Sequence, residues 1–421
     1  MKILFLTNIM PKIVADYLGV KASAAGGWIS GALDAILETN VEVISVFPQM
    51  CQRSVLFGDT GKIKFYGFFQ KDKLKMNYSS RVEKDLAEIV QKESPDIVHI
   101  WGTEFPHSLA MTKAFPYPSR TVCSIQGLCT AIAANYRFDL PNSIYYGWTL
   151  RDIFRWDNIF LRNQEYRRRA RIEQKTISRV GHVIGRTNFD KSYTRVFNSK
   201  VEYHKCYETL RPMFYKNAGK WAYAPCEKHS IFITSGSYPL KGMHKVLEAF
   251  SYVLRDYPDS RLYITGTDPA KLPFYKTSTY YKYLRYLRKY YGIVDNVTYL
   301  GTLDETQMVY RFLKSNVFIS ASSIENSPNS VGEALMLGVP VVASFVGGTM
   351  DFMTDHKEGF LYQDNDSIML AHYICAVFSL EEDAEAISLN ATHRAMDTHN
   401  IENNKNQLLR IYASIKQSND D

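Results

Sequence analysis

No apolar run in this chain approaches the roughly 20 residues that a membrane-spanning helix requires, so no spanning helix is expected. The opening Met1-Lys2-Ile3-Leu4-Phe5-Leu6-Thr7 has one basic residue and too short an apolar stretch for a secretory signal, which makes the cytoplasm the expected compartment. Cysteine is sparse. Cys51, Cys123, Cys129, Cys206, Cys226 and Cys375 are scattered without a Cys-x-x-Cys pair. That spread argues against a disulfide framework and for free thiols. His204-Lys205-Cys206 is too thin a cluster to predict zinc, and no metal is expected. Internal repeats and low-complexity segments are also missing. With 46% hydrophobic and 22% charged residues, disorder is excluded for all but the polar tail, Gln417 to Asp421.

What the 421 residues do contain is a rhythm. Residues 2–7, 41–47, 96–101, 121–125 and 182–184 read as strands. Amphipathic helical patterns at 26–37, 81–91, 105–114 and 188–196 alternate with them. An aromatic and basic stretch, 140–179, interrupts the alternation and reads as helical. Residues 216–228 lack periodicity and read as a linker. The rhythm then restarts, with strands at 230–234, 261–265, 297–300, 317–320 and 340–343 and helices between them. Such alternation predicts βαβ units on parallel sheets. The length suits two domains: residues 1–215, with a final helix at 401–416 crossing back onto them, and residues 216–400. Two doubly wound halves would place a ligand cleft between the carboxyl ends of their sheets.

The net charge of +7 is concentrated in one region. Residues 151–200 hold 13 Lys and Arg against 5 Asp and Glu. An acidic partner is implied: a phosphate-bearing acceptor, an anionic membrane face or nucleic acid. The run from Arg162 to Arg179 is either a solvated helical face or a surface for anionic membrane. No nucleic-acid recognition module accompanies it.

The segment richest in chemistry is Ser323-Ile324-Glu325-Asn326-Ser327-Pro328-Asn329-Ser330-Val331-Gly332-Glu333-Ala334-Leu335. It leads from a strand through a loop into a helix. Backbone N–H groups of Asn329, Ser330 and Val331 fall at the helix N-terminus, a site for a diphosphate. Glu325 and Glu333 flank it and can accept hydrogen bonds from sugar hydroxyls. Spacing alone also permits a solvated Glu325 and a Glu333 favoured by the helix dipole. The segment resembles the E-x7-E signature of the retaining glycosyltransferases of family 4. Gly338-Val339-Pro340-Val341-Val342-Ala343-Ser344 and Gly347-Gly348 extend the resemblance. It implies a GT-B fold, α/β with two Rossmann-like doubly wound domains facing across a cleft. It further implies that Glu325 meets the donor sugar near its reacting carbon and that Glu333 binds ribose hydroxyls.

Ser235-Gly236-Ser237-Tyr238-Pro239-Leu240-Lys241-Gly242 joins a strand to a helix. Lys241 is similar to the family's diphosphate-binding lysine, though on residues alone it could be a surface lysine. Ser237 stands where members of the family often carry Arg, a departure that leaves the charge either to another cation or to Lys241 and backbone amides. Gly26-Gly27 resembles the family's glycine pair near the diphosphate and acceptor, and a plain turn is the alternative. Asp96-Ile97-Val98-His99-Ile100-Trp101-Gly102 resembles the family's D-x-V-H-x-H-G, with Trp101 in place of the second His. His107 is therefore the candidate histidine for the donor sugar or acceptor, or else makes a structural hydrogen bond; His99 reads as structural. Arg186 holds either an acidic acceptor or an ordinary ion pair. Asp364-Asn365-Asp366 spells D-x-D, but Asp366 reads as a helix N-cap rather than a metal ligand.

These residues imply transfer of a sugar from a UDP- or GDP-sugar to a hydroxyl of a glycan or lipid-linked acceptor, in glycan synthesis, without metal or other cofactor. Peripheral contact with the inner face of the cell membrane through residues 151–200 is part of the expectation, and nucleic acid is not a partner. A sugar-nucleotide epimerase of the same fold is the alternative.

Overall fold

Two sheets, parallel except at one edge, organise the chain, and the computed structural model describes residues 1–21, 27–70 and 77–420. The first sheet comprises β1 (Lys2–Leu6), β2 (Glu42–Gln49), β3 (Leu56–Asp59), β4 (Lys64–Phe69), β5 (Ile97–Trp101), β6 (Thr121–Ser124), β7 (His182–Gly185) and β8 (Glu202–Lys205). Its spatial order is β3-β4-β2-β1-β5-β6-β7-β8, with only the β3–β4 pair antiparallel. The second holds β9 (Glu227–Ile233), β10 (Arg261–Ile264), β11 (Val297–Tyr299), β12 (Ser315–Ser320), β13 (Val341–Ser344) and β14 (Phe360–Tyr362). Its order is β11-β10-β9-β12-β13-β14. Counted from β9 this is 3-2-1-4-5-6, the order of a Rossmann sheet, in which ligands bind where the order reverses. The reversal falls between β9 and β12.

The inner strands β1, β2, β5, β6, β7, β12 and β13 are largely buried runs because helices cover both faces. In the first sheet Ile3, Phe5, Phe47, Phe65 and Ile97 meet Leu408, Ile411, Tyr412 and Ile415 of the helix Ile401–Asp420. Those four helix positions follow the i, i+3, i+4, i+7 pattern of one apolar face. In the second sheet Phe232, Phe312 and Phe318 form an aromatic centre, Phe232 and Phe312 edge-to-face at 4.9 Å.

The chain groups into two compact units: residues 1–130, 165–209 and 400–421, and residues 131–164 and 210–399. This differs from the expected boundary at 215/216 in two ways. Residues 131–164 go with the second unit, since the buried Asp152 carboxylate accepts from Thr279 N at 3.0 Å and from Thr279 Oγ1 at 2.6 Å. Burial alone would raise the Asp152 pKa, but hydrogen bonds from Thr279, Arg151 and Thr149 outweigh it and hold it low. Residues 216–228 are packed rather than a free linker. Trp221 is buried, and its Nε1 donates to Ser315 O at 2.8 Å.

The stretch 140–179 is helical in three pieces, Asn142–Tyr145, Leu150–Arg155 and Ile159–Ile177. Trp156, in the left-handed region at φ 50°, ends the second. The β3–β4 hairpin, with Gly61 at φ 83° in its turn, has no counterpart in the sequence reading.

His99 on β5 is fully buried. Its Nδ1 lies 2.6 Å from Tyr412 Oη and its Nε2 2.7 Å from Ser124 Oγ, so both nitrogens serve the core. Burial lowers its pKa to about 3. The folded chain keeps this ring neutral while the unfolded chain protonates below about pH 6.5. Its contribution to stability is therefore lost as pH falls from about 6.5 toward 3. Between pH 7 and pH 5, urea melts should show wild type losing about 2 kcal/mol more stability than His99→Gln; equal losses would contradict this.

Candidate functional site

The reversal between β9 and β12 brings two loops of the second unit together. After β9 the chain runs through Ser235–Tyr238 to a short 3-10 turn, Pro239–Lys241, then the helix Met243–Asp256. Gly242 joins them at φ 66°. A Cβ there would sit 1.9 Å from Ala321 O, so only glycine allows this loop to lie against the one after β12. Ser323 N donates to Leu240 O at 2.8 Å and ties the loops.

Across that junction Lys241 Nζ donates to Glu325 Oε1 in an ion pair. Ser322 Oγ donates to the same oxygen at 2.6 Å. Burial works against the Lys241 ammonium, but the Glu325 carboxylate and Tyr238 hydroxyl outweigh it and hold its pKa above the ordinary lysine value. The loop carrying Glu325 is braced by the glycine pair. Gly348 N donates to Glu325 O at 2.9 Å, and a Cβ on Gly347 would lie 2.0 Å from that oxygen. The sequence had placed Lys241 and Glu325 on one ligand, and the fold puts them in contact.

The helix Asn329–Leu337 starts at Pro328, which has no side-chain cap to offer. Val331 N already donates to Pro328 O at 2.9 Å, so its N–H does not point outward as the sequence reading supposed. Among the described residues, the N–H groups of Asn329 and Ser330 make no hydrogen bond within the chain. They carry the positive end of the helix dipole. Glu333 lies one turn on, buried. Burial raises its pKa, and Arg211 opposes that rise, its Nε donating to Glu333 Oε1 at 2.8 Å. Arg211 was not a candidate from sequence; it lies 122 residues away and no local pattern marks it. Ser237 is exposed in the β9 loop.

The remaining candidates lie in the first unit. Gly26 falls outside the described residues, and Gly27 opens the helix Gly27–Leu37. His107, in the first turn of the helix Pro106–Ala114, is buried. Its Nδ1 lies 3.1 Å from Gln70 Oε1 and its ring stacks on Phe105 at 5.2 Å. Arg186 is buried as well, ion-paired with Glu208 at 2.5 Å, and it donates to Ile125 O at 2.6 Å. Asp366 caps its helix, accepting from Ile368 N at 3.0 Å and Met369 N at 2.9 Å.

Two glycines separate steric clash from backbone strain. Gly242→Ala meets both; Gly266→Ala, at φ 108°, meets open space and only strain. Each should lose about 1–3 kcal/mol from strain, and Gly242→Ala should lose measurably more, with a change in the near-UV spectrum of the site. Equal melts for the two variants would show that the loops do not abut.

Residues 218–394 match the family described as glycosyl transferases group 1. An uncharacterized glycosyltransferase of Haemophilus influenzae is 23% identical over 197 residues, 46% of this chain and 52% of that protein. The Vi polysaccharide biosynthesis protein VipC/TviE of Salmonella typhi is 33% identical over 79 residues, 19% of this chain and 13% of that protein. The chain thus spans about half the length, or less, of these curated relatives. The structure of Anabaena Alr3699/HepE in complex with UDP superposes with a TM-score of 0.65 at 17% identity, covering 98% of this chain and 100% of that one. The fold is therefore GT-B, and residues 218–394 match the glycosyl transferases group 1 family.

Proposed function

We propose that the chain is a retaining glycosyltransferase of family 4 that moves a sugar from a UDP- or GDP-sugar to a hydroxyl of a glycan or lipid-linked acceptor in polysaccharide synthesis. The observation that carries the reading is the Lys241–Glu325 pair at the β9/β12 reversal, beside the uncapped N-terminus of Asn329–Leu337. A diphosphate fits there: Lys241 turns from Glu325 to the phosphates, and the Asn329 and Ser330 N–H groups meet the remaining oxygens. Glu325, freed of Lys241, orients the donor sugar. Glu333, fixed by Arg211, accepts from a ribose hydroxyl. Ser237 lines the phosphate loop without the charge of an arginine.

The bond between the anomeric carbon and the diphosphate breaks as the acceptor oxygen bonds to that carbon on the same face. The acceptor proton passes to the departing diphosphate, giving a glycoside and a nucleoside diphosphate. No metal or other cofactor enters these steps. In the first unit, His107 and the Gly26-Gly27 pair serve the sugar and acceptor side, and Arg186, already spent on Glu208, supports the fold of that side.

Nucleoside diphosphate release should be measured from a panel of UDP-, GDP- and ADP-sugars. One donor should be hydrolysed slowly by wild type. Glu325→Ala and Lys241→Ala should lower that rate at least about 100-fold, with unchanged melting of the first unit. No release and no donor binding by calorimetry would refute the reading; isomerised nucleotide sugar without release would transfer it to an epimerase.

Peripheral contact with anionic membrane at the cytoplasmic face is part of the proposal, through a surface that only partly coincides with residues 151–200. Along the helix Ile159–Ile177, Arg162 is paired with Asp157 and Arg169 with Glu104. The exposed apolar surface lies beside it instead. Phe154 is 83% exposed, Trp156 72% and Phe274 70%, with Ile153 and Leu150 near half. Arg155 and Lys276 accompany Phe154 and Tyr275 around a recess of about 430 Å³. Aromatic and aliphatic side chains with cations beside them suit insertion at an anionic lipid interface. Wild type should sediment with phosphatidylglycerol vesicles and not with phosphatidylcholine ones. Phe154→Ala/Trp156→Ala should bind at least about tenfold more weakly, with donor hydrolysis unchanged. Full binding by that variant, or loss only in Arg167→Glu/Arg168→Glu, would overturn the assignment.

A further inference from the structure

Three potential metal ligands converge at the edge of the first sheet. Glu202 and His204 are two residues apart on β8, so the pleat puts both side chains on one face. β7 runs parallel to β8 with His182 opposite Glu202 and Ile184 opposite His204. That register brings His182 onto the same face. His182 Nδ1 lies 3.1 Å from His204 Nε2 and 3.4 Å from Glu202 Oε2. His204 Nε2 lies 3.8 Å from Glu202 Oε1.

These separations have a chemical meaning. Tetrahedral zinc holds nitrogen and oxygen ligands at about 2.0–2.1 Å, which sets the ligand atoms about 3.3 Å apart along each edge. The separations of His182 Nδ1 from His204 Nε2 and from Glu202 Oε2 bracket that value, and the other carboxylate oxygen faces His204. The His182 ring is also oriented for the task. Its Nε2 lies 3.1 Å from Ser119 O, a carbonyl that can only accept. Nε2 must carry the proton, and Nδ1 of the neutral ring turns its lone pair toward the cluster. The same carbonyl accepts from Asn419 Nδ2 at 3.1 Å, so the anchor is held from the helix Ile401–Asp420. Burial lowers the pKa of both histidines, with Glu202 opposing, and so favours the neutral form that a metal needs. The two rings are nearly buried, whereas the Glu202 side chain is 62% exposed and leaves one side open for a water ligand.

His182 and Glu202 each open their strand, so the cluster sits at the amino end of the parallel strands, away from the carboxyl ends where ligands bind. β8 is the outermost strand, and such an edge gains from being pinned. We propose that His182, Glu202 and His204 form a binding site for a divalent first-row cation, Zn²⁺ by preference of its nitrogen and oxygen ligands, that clamps β8 to β7. The site is independent of the transferase reading.

The test uses the full, tag-free chain stripped with EDTA and titrated with Zn²⁺ against a chromophoric chelator, with Co²⁺ as a spectroscopic probe. One equivalent should bind, Co²⁺ should give the intense visible bands of a tetrahedral site, and Zn²⁺ should raise the melting temperature. Glu202→Gln, at an exposed position that leaves the packing intact, should bind at least about tenfold more weakly and lose the melting shift, as should His204→Gln. Uptake well below one equivalent, or equal affinity in wild type and both variants, would overturn the proposal. Nucleoside diphosphate release should be the same in stripped and loaded chain; a zinc requirement would overturn the clamping role.

Discussion

A lysine and a carboxylate held together at the reversal of the second sheet are the constraint around which that unit is built. The backbone presents both side chains to one point. Lys241 is delivered by a left-handed glycine that no other residue can replace against Ala321, and Glu325 by a loop whose carbonyl rests on Gly347 and Gly348. The strand order brings the two loops together, the glycines set their spacing, and the ion pair closes the gap. Removing either partner leaves a partly buried charge without its counter-ion, which is costly. The pair is thus a structural joint of the second unit.

The helix N-terminus beside the joint adds electrostatics at little structural expense. Pro328 offers no cap, and its carbonyl already takes the Val331 N–H, so the positive end narrows to Asn329 and Ser330. Arg211 then fixes the carboxylate of Glu333 on the far side of that helix turn.

Much of this was legible in the sequence where physics is local. Alternating runs gave the strands β1, β2, β5, β6 and β7, and the Glu325-to-Glu333 segment could be placed on a loop and helix start because strand, loop and helix follow one another there. The D-x-D triplet could be declined because N-capping is a short-range hydrogen bond, and Asp366 makes it. What stayed hidden is non-local. Arg211 finds Glu333 across 122 residues, and His182 meets His204 through strand register. Asp152 looks like any acid in a basic stretch until Thr279 is seen donating to it. Trp221 reads as linker because a single buried ring leaves no period. The basic run of residues 162–179 drew attention by composition, while exposed apolar side chains such as Phe154 and Trp156 lie outside it.

The bond from Thr279 to Asp152 also bears on how such enzymes diversify. The segment 131–164 interrupts the first unit in sequence yet is folded onto the second. Recombination that exchanged the second half at the visible midpoint of the chain would strand this segment on foreign ground, with a buried carboxylate facing no hydroxyl. A working chimera would have to inherit 131–164 together with its host unit, so the heritable module is discontinuous even though the gene is not.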